Sequence, residues 1–273
     1  MKKILDESIL SKVIKKRNKN SFKSTYGKVA LIGGNYNYGG AVIMNSMASI
    51  YSGAGLTSTF TDKNNSSALH TWVPEAMFQE FNKIESSISK MNVIAVGSGL
   101  GESDESLKIL NKVFKSVNED QILIIDGSAI TLIANNKIPL PNVKKIIFTP
   151  HEMEWQRLSN IKISEQTDHN NQKIVTQLNS IVVLKSSKTK IYIDDDIFEL
   201  TIGTPAQATG GMGDTLVGII AGFCAQFDNY KEATLAATYL HSFIAHDLSK
   251  TQYVTLPHKI SQQIPYYMKK YEK

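Results

Sequence analysis

Short β-rich runs recur along this chain and constrain its fold more than any other feature: "KVALIGG", "LTSTFT", "NVIAVGSG", "ILIIDG", "KIIFTP" and "IVVLKSS", spread over residues 28–187. Most are continuously aliphatic rather than alternating, which requires a strand covered on both faces, as in a parallel sheet. The intervening segments carry helical spacing. After the first run, Val42, Ile43, Met47, Ile50 and Tyr51 share a face before Gly53 and Gly55 stop the pattern; later Leu107, Leu110, Phe114 and Val117 do the same. The expected architecture is a three-layer α/β/α sandwich with a mostly parallel central sheet. "TKIYI" and "FELTI" flank the acidic turn 194–196 and predict a hairpin on one sheet edge. Helices are predicted over residues 214–227, 231–248 and 258–271.

No internal repeat, low-complexity linker or Pro/Gly-rich boundary divides the 273 residues, so one domain over 1–273 is expected. The formal charge of +5 would admit a nucleic-acid partner, but it is local. Residues 1–28 hold nine Lys or Arg against Asp6 and Glu7, a balance of +7 that leaves the rest of the chain at −2. Residues 1–27 therefore read as a basic N-terminal helical arm with a solvated lysine face, and without interleaved aromatics they do not resemble a single-strand binder. Cys224, the one cysteine, precludes an intramolecular disulfide and suits a reducing compartment. With neither a signal-peptide pattern nor about eighteen uninterrupted apolar residues, a soluble cytoplasmic protein is expected.

In such a sandwich, ligands sit at the carboxyl ends of the strands, which nominates residues 33–40, 97–101, 126–129, 149–152, 185–189 and 204–214. The last stretch, "TPAQATGGMGDTLVGIIAGF", is the most informative. Gly210, Gly211 and Gly213 stand before an apolar helix with Asp214 beside them. A helix N-terminus offers free amides and about half a positive charge to an anion, and glycines let the backbone approach it. A carboxylate there is either an ordinary first-turn stabiliser or a base that accepts a hydroxyl proton during phosphoryl transfer. The stretch is not a P-loop, since no Lys-Ser or Lys-Thr follows the glycines. "GGNYNYGG" lacks the dinucleotide fingerprint, and "HEMEW" lacks the second histidine of a zinc protease. Asp126 reads equally as a strand-end ligand or a turn former. His241 and His246, on a predicted helix without a spaced partner, read as packing or surface residues, and Trp72 and Trp155 as structural.

Taken together, these segments resemble the ADP- or ATP-dependent NAD(P)H-hydrate dehydratases of the ribokinase-like superfamily. "GKVALIGGNYNYGGAVIMNSMASIYSGAGLTSTFT", "PEAM", "VGSGLG", "IIDGSAITLIA", "FTPHEMEWQRL", "VVLKSSKTKIY" and "TPAQATGGMGDTLVGIIAGFCAQ" follow the family's order across about residues 27–227. The resemblance implies repair of hydrated NADH or NADPH, by phosphorylation of the ring hydroxyl and elimination of phosphate. It implies Asp214 as base and substrate ligand, and the amides of Gly211, Met212 and Gly213 as an anion hole. Lys185, Ser186, Ser187, Lys188, Thr189 and Gly213 would hold the nucleotide, and Ala41, Gly99 and His151 the hydrated dinucleotide. Mg²⁺ is expected with the phosphates, and a homo-oligomer, often a tetramer, is the family's habit. The family's epimerase domain has no counterpart here, so that activity is expected on a separate protein. Met212 and Ser186 depart from a Thr and a Gly common in the family, "DGSAI" lacks a second acid, and "HEMEW" lacks the Pro-Gly pair often found after the histidine. Two other readings compete: a ribokinase-like kinase of a small hydroxymethyl vitamin precursor, and a non-catalytic nucleotide-binding regulator.

Overall fold

The computed structural model describes residues 2–273. Its strands are β1 (Lys2–Leu5), β2 (Lys28–Ile32), β3 (Leu56–Phe60), β4 (Met77–Gln79), β5 (Val93–Val96), β6 (Ile122–Ile125), β7 (Lys145–Phe148), β8 (Ile181–Leu184), β9 (Lys190–Ile193) and β10 (Asp196–Leu200). They form one sheet in the order β1-β10-β9-β8-β7-β6-β5-β2-β3-β4. Only β9 runs against the others among the described residues. The chain builds outward from β2 through β3 and β4 on one side, then returns to build β5 to β8 on the other. The switch point thus lies between β2 and β5, and the crevice outside their carboxyl ends is where such sheets take ligands.

The helices are α1 (Ser8–Val13), α2 (Gly39–Tyr51), α3 (Ser66–Trp72), α4 (Ile84–Ser87), α5 (Asp104–Ser116), α6 (Gly127–Asn136), α7 (Glu152–Ser159), α8 (Asp168–Leu178), α9 (Met212–Gln226), α10 (Tyr230–Ser249) and α11 (Pro257–Tyr271). Two apolar layers explain the continuous strand pattern. Val29, Leu31, Val93 and Ile124 face α1, α2, α9, α10 and α11, while Ala30, Ile32, Ile94 and Ile125 face α4 to α8. Each fully buried aliphatic side chain contributes roughly 1.5–3 kcal/mol, so neither layer can be dispensed with. The long helix α9 lies close against α2, because a Cβ on Gly218 would come within 2.3 Å of the Asn45 carbonyl oxygen.

The structure changes three expectations. The amino-terminal residues are not simply a helical arm: β1 pairs in parallel with β10, and among the described residues before β2 only Ser8–Val13 and the 3₁₀ turn Lys23–Tyr26 are helical. "KKIL" is too short and charged to show a strand pattern; its pairing rests on backbone bonds and on the ion pairs Lys2–Glu199 and Lys3–Asp196. The β9–β10 hairpin forms as expected but is not the sheet edge, since β1 covers it. Arg17 stacks 3.8 Å from the centre of the Tyr26 ring, and the amides of Lys16 and Lys273 bond the backbone of Lys273 and Ile14, so the basic segment is held against the carboxyl terminus. Finally, α9 begins at Met212 rather than Asp214, which brings Gly213 inside its first turn.

Candidate active site

The loops leaving β2 and β5 are tied together. Gly34 N donates to the Ser98 carbonyl at 2.9 Å and Asn35 N to the Gly99 carbonyl at 2.8 Å. Buried Asn65 braces them from the side, its Nδ2 donating to the Gly34 carbonyl at 2.9 Å. Gly99 has φ +64°, and a Cβ there would lie 2.8 Å from Ala41 Cβ; a side chain would be both strained and blocked. Ala41 and Gly99, which the resemblance assigns to one ligand, therefore share one surface.

At the carboxyl ends of β5 to β8 the polar groups converge. Asp126 occupies the N-cap position of α6 but caps nothing. Its buried carboxylate instead accepts hydrogen bonds from Ser98 Oγ at 3.0 Å, Thr149 Oγ1 at 2.7 Å and Lys185 Nζ at 2.9 Å. Lys185 Nζ also lies 4.0 Å from Glu154 Oε2 and about where a Cβ on Gly213 would crowd it, at 3.0 Å. Asp126, read as a ligand or a turn former, is thus the anchor of Lys185.

His151 joins this cluster through backbone as well as side chain. It bridges to Lys185 in parallel pairing, and Lys185 N donates to the Pro150 carbonyl at 2.8 Å. His151 caps α7: its Nδ1 accepts from the amides of Met153 at 3.1 Å and Glu154 at 3.2 Å, while Glu154 Oε2 accepts from His151 N at 2.8 Å. An acceptor Nδ1 places the ring proton of the neutral imidazole on Nε2, which stands 3.3 Å from Glu154 Oε1.

Three carboxylates, Asp126, Glu154 and Asp214, thus surround one ammonium. Burial raises the pKa of Asp126, but the Lys185 charge and the three hydrogen bonds outweigh it, and its carboxyl titrates below the usual range. Lys185 is the counterpart: burial lowers it, yet Asp126 and Glu154 hold it charged and raised overall. Burial, with repulsion from Asp126, pushes Glu154 up despite Lys185. Asp214 is pushed up to about 6, by burial first and the Asp126 charge second, against the pull of Lys185 and a Ser98 hydrogen bond. Environments that drive neighbouring carboxyl groups apart in this way separate a fixed charge from a proton acceptor. Asp126 is the fixed charge, and Asp214 is poised to take a proton near neutrality.

Asp214 stands in the first turn of α9. Its N-cap is Gly211, at φ +94°, and no side chain caps the helix. A Cβ on Gly211 would meet Met44 Sδ at 2.3 Å, so this position needs glycine both for its backbone angle and for space. The first-turn amides, which no helix satisfies internally, remain available. Beside them opens a cavity of about 540 Å³ lined by Lys185, Ser186, Ser187, Thr189, Met212 and Gly213, within the size range of small-ligand sites. Lys188 does not line it. That side chain is exposed on the β8–β9 turn, with its amide bonded to Ser186 Oγ at 3.1 Å.

The far wall was predicted only in part, through the nominated stretch 204–214. It comprises Thr204 and Gln207 from the segment before α9, and Thr238, His241 and Ser242 of α10. Thr238, His241 and Ser242 fall at i, i+3 and i+4 in the buried middle of α10, a polar stripe legible in the sequence but overlooked because no metal or catalytic spacing accompanies it. Likewise, Glu154 three residues after His151 has the spacing of a capping box. Trp155 is wholly buried, as expected of a structural residue, with Nε1 donating to Asn171 at 2.8 Å. Trp72 is 58% exposed and lies 6.1 Å from the His258 ring.

A sequence profile of the NAD(P)H-hydrate dehydratases matches residues 29–266. The chain belongs to the NAD(P)H-hydrate dehydratase family. Among its relatives is an Enterococcus faecalis protein named ADP-dependent (S)-NAD(P)H-hydrate dehydratase, 50% identical over 270 residues, covering 98% of this chain and 93% of the relative. A crystal structure of a ribokinase-like superfamily protein from Enterococcus faecalis superposes with a TM-score of 0.97 at 48% identity, covering 99% of this chain and 96% of that one. The Bacillus subtilis ADP/ATP-dependent NAD(P)H-hydrate dehydratase, co-crystallised with ATP and Mg²⁺, gives a TM-score of 0.88 at 26% identity, over 98% of both chains. The family fold therefore runs the length of this dehydratase-family chain, and it is ribokinase-like.

Proposed function

We propose that this protein dehydrates hydrated NADH and NADPH back to NADH and NADPH at the expense of ADP or ATP. The observation that carries the reading is Asp214, a carboxylate raised to about 6 beside the uncapped first turn of α9. The ring hydroxyl of the hydrate is a poor leaving group. Asp214 takes its proton as the hydroxyl oxygen attacks the terminal phosphorus of the nucleotide. The phosphorus–oxygen bond to the nucleotide breaks, releasing AMP from ADP or ADP from ATP. The new ring phosphate then leaves with the electrons of its carbon–oxygen bond, pushed by the ring nitrogen lone pair. Loss of a proton from the adjacent ring carbon restores the dihydronicotinamide.

In this reading the amides of Gly211, Met212 and Gly213 hold the transferring phosphoryl group, and preorganised donors of that kind supply most of the rate. Lys185, fixed by Asp126, meets the nucleotide phosphates; Ser186, Ser187, Thr189 and Gly213 line their cavity. Ala41 and Gly99, at the crevice between β2 and β5, and His151, at the carboxyl end of β7, hold the hydrated dinucleotide. Among the described residues no group of three His, Cys, Asp or Glu could hold a metal. Mg²⁺ keeps its waters and binds largely through substrate phosphates, so it would enter with the nucleotide held at Lys185 and the first turn of α9. When bound, Mg²⁺ would neutralise charge on the phosphates.

The E. faecalis relative is named for the (S) epimer. A chain with that selectivity needs a separate NAD(P)H-hydrate epimerase to use the other epimer. One sheet running from β1 to β4 supports a single domain over residues 1–273. Among the described residues no helix is long and apolar enough to cross a membrane; we further propose a cytoplasmic homo-oligomer, with a tetramer the expected assembly.

The test is to incubate the protein with enzymatically hydrated NADH or NADPH, Mg²⁺ and either ADP or ATP, following absorbance of the reduced nicotinamide. Nucleotide-dependent recovery is expected, with one AMP or ADP formed per NAD(P)H. Accumulation of a phosphorylated product without recovery would show a kinase instead, and binding without turnover would show a regulator.

A further inference from the structure

One polar group in the cavity wall has no partner in the chain. His241 is 5% exposed, its Nε2 is buried without a hydrogen bond, and it lines the same cavity as Lys185 and Gly213. A buried polar atom left unpaired costs roughly 1–3 kcal/mol, and buried side-chain polar atoms are normally satisfied. Trp155, buried on the other side of the sheet, has such a partner in Asn171, whereas the unpaired His241 ring lines a cavity.

The two ends of the cavity differ in chemistry. Lys185 and the first turn of α9 supply positive charge and free amides. Around His241 stand Thr238, Ser242 and Leu216, and Thr238 Oγ1 is already spent on the Thr234 carbonyl at 2.8 Å. Burial and the Lys185 charge hold the imidazole down at about 4. A neutral ring has no charge to offer a phosphate, but it presents one hydrogen-bonding nitrogen to an uncharged group.

We propose that His241 recognises the nucleoside half of the phosphoryl donor, its Nε2 hydrogen-bonding the base or ribose of the adenine nucleotide while Lys185 and α9 hold the phosphates. This rests on reading the cavity as the nucleotide site.

The experiment compares ADP and inorganic pyrophosphate as ligands, by calorimetry and competitive inhibition, for wild type, His241→Leu, His241→Asn and Lys185→Ala. His241→Leu should weaken ADP about tenfold, the worth of one good hydrogen bond, with the effect on the KM for ADP rather than on kcat. Pyrophosphate, which has no nucleoside, should bind His241→Leu as it binds wild type, and His241→Asn should recover part of the loss. Lys185→Ala should weaken both ligands. If a folded His241→Leu binds ADP normally, or loses pyrophosphate as severely as ADP, the proposal is overturned. If Lys185→Ala also leaves ADP binding intact, the nucleotide-site reading falls with it. In the wild-type protein, the His241 Nε2 nitrogen resonance should shift on saturation with ADP and stay put with pyrophosphate. No shift with ADP overturns the proposal even if the leucine variant fails to fold.

Discussion

Two helices begin at this site, and they treat their first turns in opposite ways. α7 opens on His151, whose side chain takes up the amides of Met153 and Glu154, while Glu154, the third residue of the turn, closes back on the His151 amide. α9 opens on Gly211 with no side-chain cap, and its third residue, Asp214, has no capping side chain to answer. A cap contributes about 1 kcal/mol to a helix. α7 takes that stabilisation, whereas α9 forgoes it and leaves its first-turn donors without a side-chain partner. The same position in two turns thus carries an acid that closes a box and an acid free to do chemistry.

Removing the free acid tests the contrast most severely. Asp214→Asn keeps the shape but cannot accept the hydroxyl proton, so turnover should fall by roughly 10²–10⁴ while ADP affinity measured by calorimetry changes little. Turnover near that of wild type would remove Asp214 as the base. The variant should not lose stability. A folded-state pKa of about 6, above the ordinary 3.8, means that the stability linked to this proton is fully present below the unfolded pKa and is lost as pH rises through about 6. At pH 8 the wild-type charge opposes folding, and the asparagine variant should melt at or above the wild-type temperature.

Next in size is the cap itself. Gly211→Ala puts a Cβ on a residue at φ +94° and within 2.5 Å of Met44 Cε and 3.0 Å of Pro257 Cγ. Such a backbone position costs a non-glycine residue about 1–3 kcal/mol, and the methionine must move as well. Denaturant unfolding should show that loss, and the KM for ADP should rise because the first-turn amides shift. A variant with unchanged stability would mean that the turn can relax at no cost and that its geometry is not what the glycine protects.

The fold was largely legible because it rests on periodicity. Continuous aliphatic runs announced strands buried on both faces, and Val42 to Tyr51 announced α2; such signals are local, and each residue repeats its neighbour's message. β1 and β4 escaped, since Lys2–Leu5 and Met77–Gln79 are short and their pairing depends on partners far along the chain. The glycines and Asp214 were visible as a local cluster, as was His151 from its motif. Asp126's grip on Lys185 was not, because it spans 59 positions and three strands, β6 to β8, and nothing local says where a carboxylate will point. His241 was visible as a letter but not as a wall: only the folded chain shows that its ring lines the cavity with an unpaired nitrogen.

The pH dependence sharpens the comparison at the level of a single proton. Asp214 acts as a base only when ionised, so kcat/KM for the hydrated dinucleotide should fall as pH drops through about 6, by about tenfold per unit below it. Glu154 should leave no such limb, since its carboxylate is committed to the His151 amide. Replacing it with glutamine should not move the apparent pKa out of the region set by Asp214. Loss of the acidic limb in the glutamine variant would assign the titration to the wrong helix.

The smallest effect separates the charge of Glu154 from its capping bond. Its carboxyl is raised above the ordinary 4.5, by burial first, against the pull of Lys185. Its linked stability is therefore present below the unfolded pKa and lost as pH rises through the folded one; near neutrality the charge is a cost and the hydrogen bond a gain. Glu154→Gln keeps an acceptor at the third position of the turn, where glutamine also serves a capping box. Glu154→Ala removes it and leaves the His151 amide unanswered. The alanine variant should lose about 1 kcal/mol, a few degrees in melting temperature, and the glutamine variant less than half of that. Equal losses would show that the charge beside Lys185, and not the closed turn, is what α7 contributes, and the contrast with α9 would then lie in electrostatics alone.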